Sequence, residues 1–248
     1  MNRQGAVAVT GSSRGIGAAI AVALARAGCT VGCLSRAGTL PQRNDLTPEL
    51  AARMIPTPCD VNDETSIRQA FTTLAEQAVG LWGLVNNAGI HMTGPSDRFT
   101  TEQYIQVMHT NAQAVFVASR EAFPYLVANQ GGIIINIGSF FDRLGVKRNL
   151  AYCASKAAVG AITRCLAVEW ASKGIRVIDV APGYIETDLN RDAMAETSLR
   201  DFLAKRIPGG SAGTAEEVGE IVATLSTRDF DFLTGETIYL DGGQSINH

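Results

Sequence analysis

The stretch "VAVTGSSRGIGAAIA" (residues 7–21) limits what this chain can fold into more than any other. A short β-branched run, a glycine-rich turn and an alanine-rich apolar helix follow one another with no spare residue. Gly11, Gly15 and Gly17 let the backbone turn tightly and come close to a pyrophosphate. The N-terminus of the helix adds N–H donors and positive potential. Ser13, Arg14 and Ile16 fill the rest of the turn. The spacing is G-x-x-x-G-x-G rather than G-x-G-x-x-G, and three glycines alone also describe an ordinary turn. Their position between a first strand and an apolar helix gives the match its weight.

The same rhythm continues along the chain. Val- and Ile-rich runs at 5–10, 30–35, 54–61, 83–89, 132–139, 175–183 and 236–243 lack polar alternation, as strands covered on both faces should. Helical patterns at 15–28, 63–80 and 152–174 lie between them. This alternation predicts an α/β fold, a doubly wound parallel sheet with helices on both faces, in one domain over residues 1–248. Pro41 and Pro48 argue against a continuous helix over 36–50. The polar segment 188–213 reads as an excursion at the C-terminal edge of the sheet, where ligands bind, and is a candidate substrate lid.

Composition narrows the function classes. A net charge of −3 gives no case for nucleic acid or an anionic membrane as partner. No apolar run reaches the ~18 residues of a membrane span, and no charged-then-apolar leader precedes the first strand. Cys29, Cys33, Cys59, Cys153 and Cys165 form no CxxC pair and read as free buried thiols of a reducing, cytoplasmic compartment. His91, His109 and His248 lack ligand spacing, so no metal site is expected.

The second strand ends Leu34-Ser35-Arg36, with no acid before Asp45. A carboxylate there would accept from a ribose 2′-hydroxyl. Ser35 and Arg36, helped by Arg14, suit a 2′-phosphate instead, which favours NADP(H) over NAD(H). The blander reading leaves both arginines simply solvated. Three further strand ends fit a dinucleotide: Asp60 and Val61 near adenine, Asn87-Ala88-Gly89 for close backbone approach, and "PGYIETD" (182–188). In the last, Pro182, Gly183, Ile185 and Thr187 offer groups to a carboxamide.

Together "TGSSRGIG", "NNAG", "YCASK" and "PGYIETD" resemble the short-chain dehydrogenase/reductase family from Gly5 to about Gly243. The resemblance implies one Rossmann-type domain with a seven-stranded parallel sheet, and a homotetramer or homodimer. It also implies hydride exchange between a nicotinamide cofactor and an alcohol/carbonyl pair. By motif, it places the catalytic set at Asn111, Ser139, Tyr152 and Lys156. Tyr152 and Lys156 are four apart and share a helix face. Tyr152 would be the general acid/base, aided by the Lys156 ammonium and the oxidised nicotinamide. Lys156 would also hold the ribose hydroxyls, Ser139 would polarise the substrate oxygen, and Asn111 would hold a relay water. A non-catalytic NADP(H) sensor on the same fold is the competing reading, but it would be free to lose this set.

The general look is that of the 3-oxoacyl-[acyl-carrier-protein] reductase branch. "PYLVANQGG" (124–132), however, has no Lys or Arg to meet an acidic carrier, although Lys173 is basic. That branch makes a 3-oxoacyl thioester the first substrate expected, but His91, Phe140, Phe141 and Tyr184 predict an aromatic-lined pocket suited to a small ketone, keto-sugar, polyol or cyclic ketone at least as well as to a long acyl chain. Core or subunit contacts are the alternative for the two phenylalanines.

Overall fold

The computed structural model describes residues 3–188, 190 and 196–247. Strand β1 (Ala6–Thr10) leads into α1 (Gly15–Arg26), β2 (Thr30–Ser35), the single turn α2 (Pro48–Ala51), β3 (Met54–Pro58), α3 (Glu64–Ala78) and β4 (Leu81–Asn86). Helices α4 (Thr101–Met108) and α5 (Ala114–Ala128) then precede β5 (Gly132–Ile137), α6 (Leu150–Trp170) and β6 (Ile175–Pro182). A ribbon of β7 (Ile185–Glu186) with β8 (Gly213–Thr214) brackets α7 (Thr197–Arg206). Helix α8 (Ala215–Thr227) and strand β9 (Thr237–Leu240) follow.

All seven predicted runs enter one sheet, in the order β3-β2-β1-β4-β5-β6-β9, with every neighbouring pair parallel. Parallel pairing requires crossovers, and these place helices on both faces. One layer joins α1 and α8 to Val7, Val9, Ile133 and Ile178. The other joins α3, α5 and α6 to Ala8, Leu84, Ile134 and Val177. Helix α1 is buried from Gly17 to Ala25, which explains why it is apolar on nearly every side.

Strand order reverses between β1 and β4, so their C-terminal ends diverge and leave a crevice. Buried polar side chains fix the elements behind it. Asn86 Nδ2 donates to Ser119 Oγ at 3.1 Å and to Asn136 Oδ1 at 2.9 Å, and Asn136 Nδ2 donates to Thr163 Oγ1 at 2.8 Å. This chain of bonds ties β4, β5, α5 and α6 in one register. Such a network resists sliding because a shifted member would leave a buried amide unpaired.

Several expectations are corrected. Strand β3 stops at Pro58, so Asp60 and Val61 lie in the following turn. Strand β4 begins earlier, at Leu81, and ends at Asn86, leaving Asn87–Gly89 as loop. Cys29, Cys33 and Cys59 are buried, but Cys153 is half-buried and Cys165 exposed, so burial does not hold for all five thiols. Burial pushes Cys33 and Cys59 up to about 12, as expected of inert core thiols. The segment 36–47 carries no helix, and Pro48 opens the short α2 at its first turn, where a missing N–H costs nothing. No described helix is long and apolar enough to cross a membrane.

Candidate active site

The crevice is a cleft of about 430 Å³. Its floor is the predicted glycine turn: Gly11, Gly15 and Gly17 line it with Ser13, Arg14 and Ile16. Gly11 and Gly15 adopt φ of 65° and 57°, a region open to glycine at little cost. At Gly17 the need is space, because a Cβ would overlap Asn87 Nδ2 and the Gly11 carbonyl oxygen. Gly17→Ala should therefore push the turn away from β4 and cost about 1–3 kcal/mol of stability. Cofactor affinity should fall about tenfold or more, as checked by thermal melts and fluorescence titration with NADPH.

Sequence reasoning missed one residue that builds this floor. Thr10 Oγ1 accepts from the backbone N–H groups of Asn87 and Ala88 at 3.0 and 3.1 Å. Asn87 Nδ2 returns bonds to the carbonyls of Thr10 and Gly11 at 2.9 and 3.2 Å. A threonine closing an otherwise apolar strand was the available signal. Cys59, Asn62, Ile90, Gln106 and Thr110 also line the cleft without having been singled out.

At the end of β2, Ser35 and Arg36 line the cleft as predicted. Neither Arg14 nor Arg36 has a carboxylate partner among the described residues, and both are exposed. The nearest acid in sequence, Asp45, is held by Arg26 at 2.7 Å and Arg43 at 2.7 Å. The Arg43 guanidinium keeps its carboxyl below the usual range. Asp45 is thus engaged elsewhere, and the strand end offers cations to whatever binds there. Asp60, Val61, Asn87, Ala88, Gly89 and Thr187 line the same cleft. Pro182, Gly183 and Ile185 do not, and neither do Tyr152 and Lys156, the latter bonded to the Ile137 carbonyl at the end of β5.

Ser139 follows β5 and caps a 3₁₀ turn, Phe140–Arg143, its Oγ accepting from the Phe141 N–H at 3.3 Å. Tyr152 and Lys156 project from the first turns of α6. Burial pushes the Tyr152 phenol up, and the Ser139 hydroxyl, within bonding reach, works in the opposite direction. Lys156 is 5% exposed, and its Nζ donates to the Ile137 carbonyl at 2.7 Å while lying 5.6 Å from the Tyr152 ring centroid. Burial brings it down to about 8, against the opposing charge of Asp179.

Asn111 lies in a π-helical turn, His109–Gln113, between α4 and α5. Its Oδ1 accepts from the Ile90 N–H at 2.8 Å, and its Nδ2 donates to the Ile90 carbonyl at 2.9 Å and to Ser155 Oγ at 3.1 Å. Such turns inside helices gather at functional sites, since they re-aim the backbone locally. The Asn111 amide is thus fully used in clamping the loop after Gly89 to α6.

The four predicted pocket residues form one aromatic cluster, of which His91 and Phe141 touch Tyr152. His91 stacks on it at 4.6 Å and is hydrogen-bonded to Asn149. Phe141 meets it edge-on at 6.0 Å, Phe140 stacks on Phe141 at 4.6 Å, and Tyr184 lies 5.6 Å from Phe140. Both phenylalanines are buried, so they act as wall and core together. Tyr184 continues to Phe202 at 6.5 Å and packs with Leu203 and Ile207, which seats α7 over this end of the sheet. The predicted lid, 188–213, includes α7; its residues 189 and 191–195 lie outside the described residues.

Known proteins are similar to this chain over nearly its whole length. The family model described as enoyl-(acyl carrier protein) reductase matches residues 11–245. A 3β-hydroxysteroid dehydrogenase of Eggerthella lenta is 33% identical over 243 residues, covering 97% of this chain and 93% of its own. The 3-oxoacyl-[acyl-carrier-protein] reductase of Escherichia coli is 35% identical over 247 residues, with 98% of each chain covered. The crystal structure of a gluconate 5-dehydrogenase from Burkholderia cenocepacia, in complex with NADP and tartrate, superposes with a TM-score of 0.88. It is 30% identical and covers 100% of this chain and 99% of its own. With its dinucleotide cleft, its Ser–Tyr–Lys grouping and these matches, the chain belongs to the short-chain dehydrogenase/reductase family and is an oxidoreductase acting on CH–OH/C=O groups.

Proposed function

We propose that the protein interconverts a ketone and a secondary alcohol with NADP(H), using Tyr152 as general acid/base. The observation that carries this reading is the grouping of Ser139, Tyr152 and Lys156 at the end of β5 and the start of α6, on the same sheet whose β1 and β4 ends form the glycine-floored cleft. When bound, the cofactor supplies or accepts the hydride. The Ser139 hydroxyl orients the substrate oxygen, and the Tyr152 O–H delivers a proton to it in reduction or takes one up in oxidation. The Lys156 ammonium favours the phenolate and holds the cofactor ribose. Asn111 keeps the Gly89–Ile90 loop and α6 in place, with a relay water on its backbone side. Thr187, which lines the cleft, and the backbone of Pro182, Gly183 and Ile185 beside it would offer groups to the cofactor's carboxamide.

NADP(H) is favoured over NAD(H) because Ser35, Arg36 and Arg14 stand where an acid would otherwise meet the ribose. Arg36→Ala should raise the Kd for NADPH about tenfold or more and leave that for NADH nearly unchanged, since a charge-assisted bond to phosphate is lost. Equal losses for both cofactors would contradict the 2′-phosphate assignment.

His91, Phe140, Phe141 and Tyr184 would wall a pocket that suits a compact uncharged carbonyl compound, with α7 packed on Tyr184 as its lid. A second reading, a 3-oxoacyl thioester, draws on the near full-length similarity to the E. coli reductase. Steady-state assays of diketones, cyclic ketones, keto-sugars and 3-oxoacyl thioesters with NADPH and NADH decide between them. Binding of NADPH with no turnover across the panel would instead favour the sensor. A homotetramer or homodimer is the proposed assembly; exposed Phe116 on α5 and Val168 on α6 offer apolar area for it.

A further inference from the structure

Two charged residues are buried in β6: Arg176 donates to the Leu225 and Phe230 carbonyls, whereas Asp179 is not explained by such partners. It stands between Ile178 and Val180, is 0% exposed, and occupies the α6 side of the sheet with Val177. Thr237 Oγ1 donates to its Oδ2 at 3.3 Å, while its Oδ1 has no hydrogen-bond partner among the described residues. A buried carboxylate so thinly bonded is costly, and an aliphatic residue of similar size would be cheaper at this position.

Its surroundings point to the catalytic lysine. The carboxylate lies against Gly138, where a methyl group would overlap it. The preceding carbonyl, that of Ile137, accepts from Lys156 Nζ. One turn further along α6, Gly160 has no side chain to intervene, and a Cβ there would sit 3.9 Å from Asp179 Oδ2. Two glycines therefore open the space that a carboxylate needs beside the Ile137–Gly138 peptide.

Other charged and titratable groups surround this position. From α6 comes Arg164, whose Nη1 lies 3.4 Å from the same notional Cβ. The 3₁₀ turn contributes Asp142 and Arg143, and β9 contributes Tyr239. The Tyr239 hydroxyl donates to Asp142 Oδ2 at 2.6 Å, and the Arg143 guanidinium stacks on its ring at 3.3 Å. These contacts occupy Asp142 and Arg143 with Tyr239.

We propose that Asp179 is a positioning residue for the reaction: its carboxylate is the buried counter-charge that keeps Lys156 an ammonium while Tyr152 exchanges its proton. This rests on the role given to Lys156 above. Burial lowers Lys156 to about 8, and the Asp179 charge resists that fall. Burial raises Asp179 to about 6, with the Lys156 ammonium opposing, Asp142 adding to the rise, and Thr237 and the Gly138 backbone opposing it. Each charge thus supports the other against the burial that disfavours both. Removing the carboxylate takes away support for the ammonium, so Lys156 must lose its proton at lower pH.

The test is Asp179→Asn, close in shape and able to keep the Thr237 bond. The alkaline limbs of kcat/KM for carbonyl reduction and of NADPH affinity should both move down by about one pH unit. Asp142→Asn, which disturbs the same region without removing this charge, should leave both limbs in place. Should Asp179→Asn fail to fold, the smaller Asp179→Ser must shift the limbs in the same direction. Should neither fold, NMR titration of the wild-type enzyme decides: the Asp179 carboxyl and Lys156 ammonium resonances must each sense the other's titration, and an Asp179 carboxyl that stays protonated at pH 7 overturns the proposal. Unmoved limbs in a folded Asp179→Asn enzyme would also overturn it, leaving Asp179 a purely structural residue. That outcome leaves the proposed function standing, whereas an active Tyr152→Phe enzyme would remove the function itself.

Discussion

Tyr152→Phe should lose about a thousandfold in kcat while folding normally and binding NADPH with nearly unchanged affinity. The size follows from the chemistry. A positioned proton donor contributes roughly 10²–10⁴ to such a rate, and phenylalanine retains the ring but has no proton to give. The neighbours explain why the fold survives. Ring contacts with His91 at 4.6 Å and Phe141 at 6.0 Å do not use the hydroxyl, and only the bond with Ser139 is lost. KM should change little, because the lost interaction belongs to the transition state. Single-turnover rates with each active ketone, beside circular dichroism and NADPH titration, check all three parts. Near-normal turnover would remove Tyr152 from the mechanism.

Lys156→Met has the second largest effect, about a hundredfold in kcat together with about tenfold in NADPH affinity. Methionine fills similar space but carries no charge for the Tyr152 phenolate and no donor for the ribose. It also leaves the buried Ile137 carbonyl unpaired, which costs about 1–3 kcal/mol, partly offset because no ammonium need be desolvated. The combined loss in kcat and affinity distinguishes this residue from Tyr152, which should affect kcat alone. Arginine should not rescue the defect, because its planar fork does not fit the enclosed site of a lysine that is 5% exposed. Rapid-mixing kinetics and fluorescence titration separate the two effects.

The strands were legible because parallel sheets buried on both faces need continuous apolar runs, and β2 matches its run residue for residue. The glycine turn was legible for a related reason: a backbone that must approach β4 leaves no room for a Cβ at Gly17. Helices α4, α5, α7 and α8 were not singled out. In α5 an internal Pro124 weakens the pattern, and α7 is mostly polar because it packs only through Leu203, Ile207 and their few neighbours. Asn111 was recognisable by motif, but not its π turn, whose wider winding arises from tertiary contacts with Ile90 and Ser155. The polar residues Asn86, Asn136 and Asp179 stood in plain view within apolar strands. Their partners, Ser119, Thr163 and Thr237, are 27 to 58 residues away in sequence, a separation no local pattern reveals. Phe140 and Phe141 were open between pocket wall and core; the structure buries both, with Phe141 edge-on to Tyr152 and Phe140 edge-on to Tyr184.

The central claim is that Tyr152 protonates a carbonyl oxygen as a hydride reaches its carbon. Reduction of the ketone panel with NADPH deuterated at the transferring position tests this most directly, with product analysed by mass spectrometry and NMR. The account predicts a secondary alcohol bearing deuterium on the carbinol carbon, formed by the wild-type enzyme and nearly absent with Tyr152→Phe. Deuterated alcohol formed equally by both proteins, or NADPH bound tightly with no alcohol formed from any ketone, would contradict it.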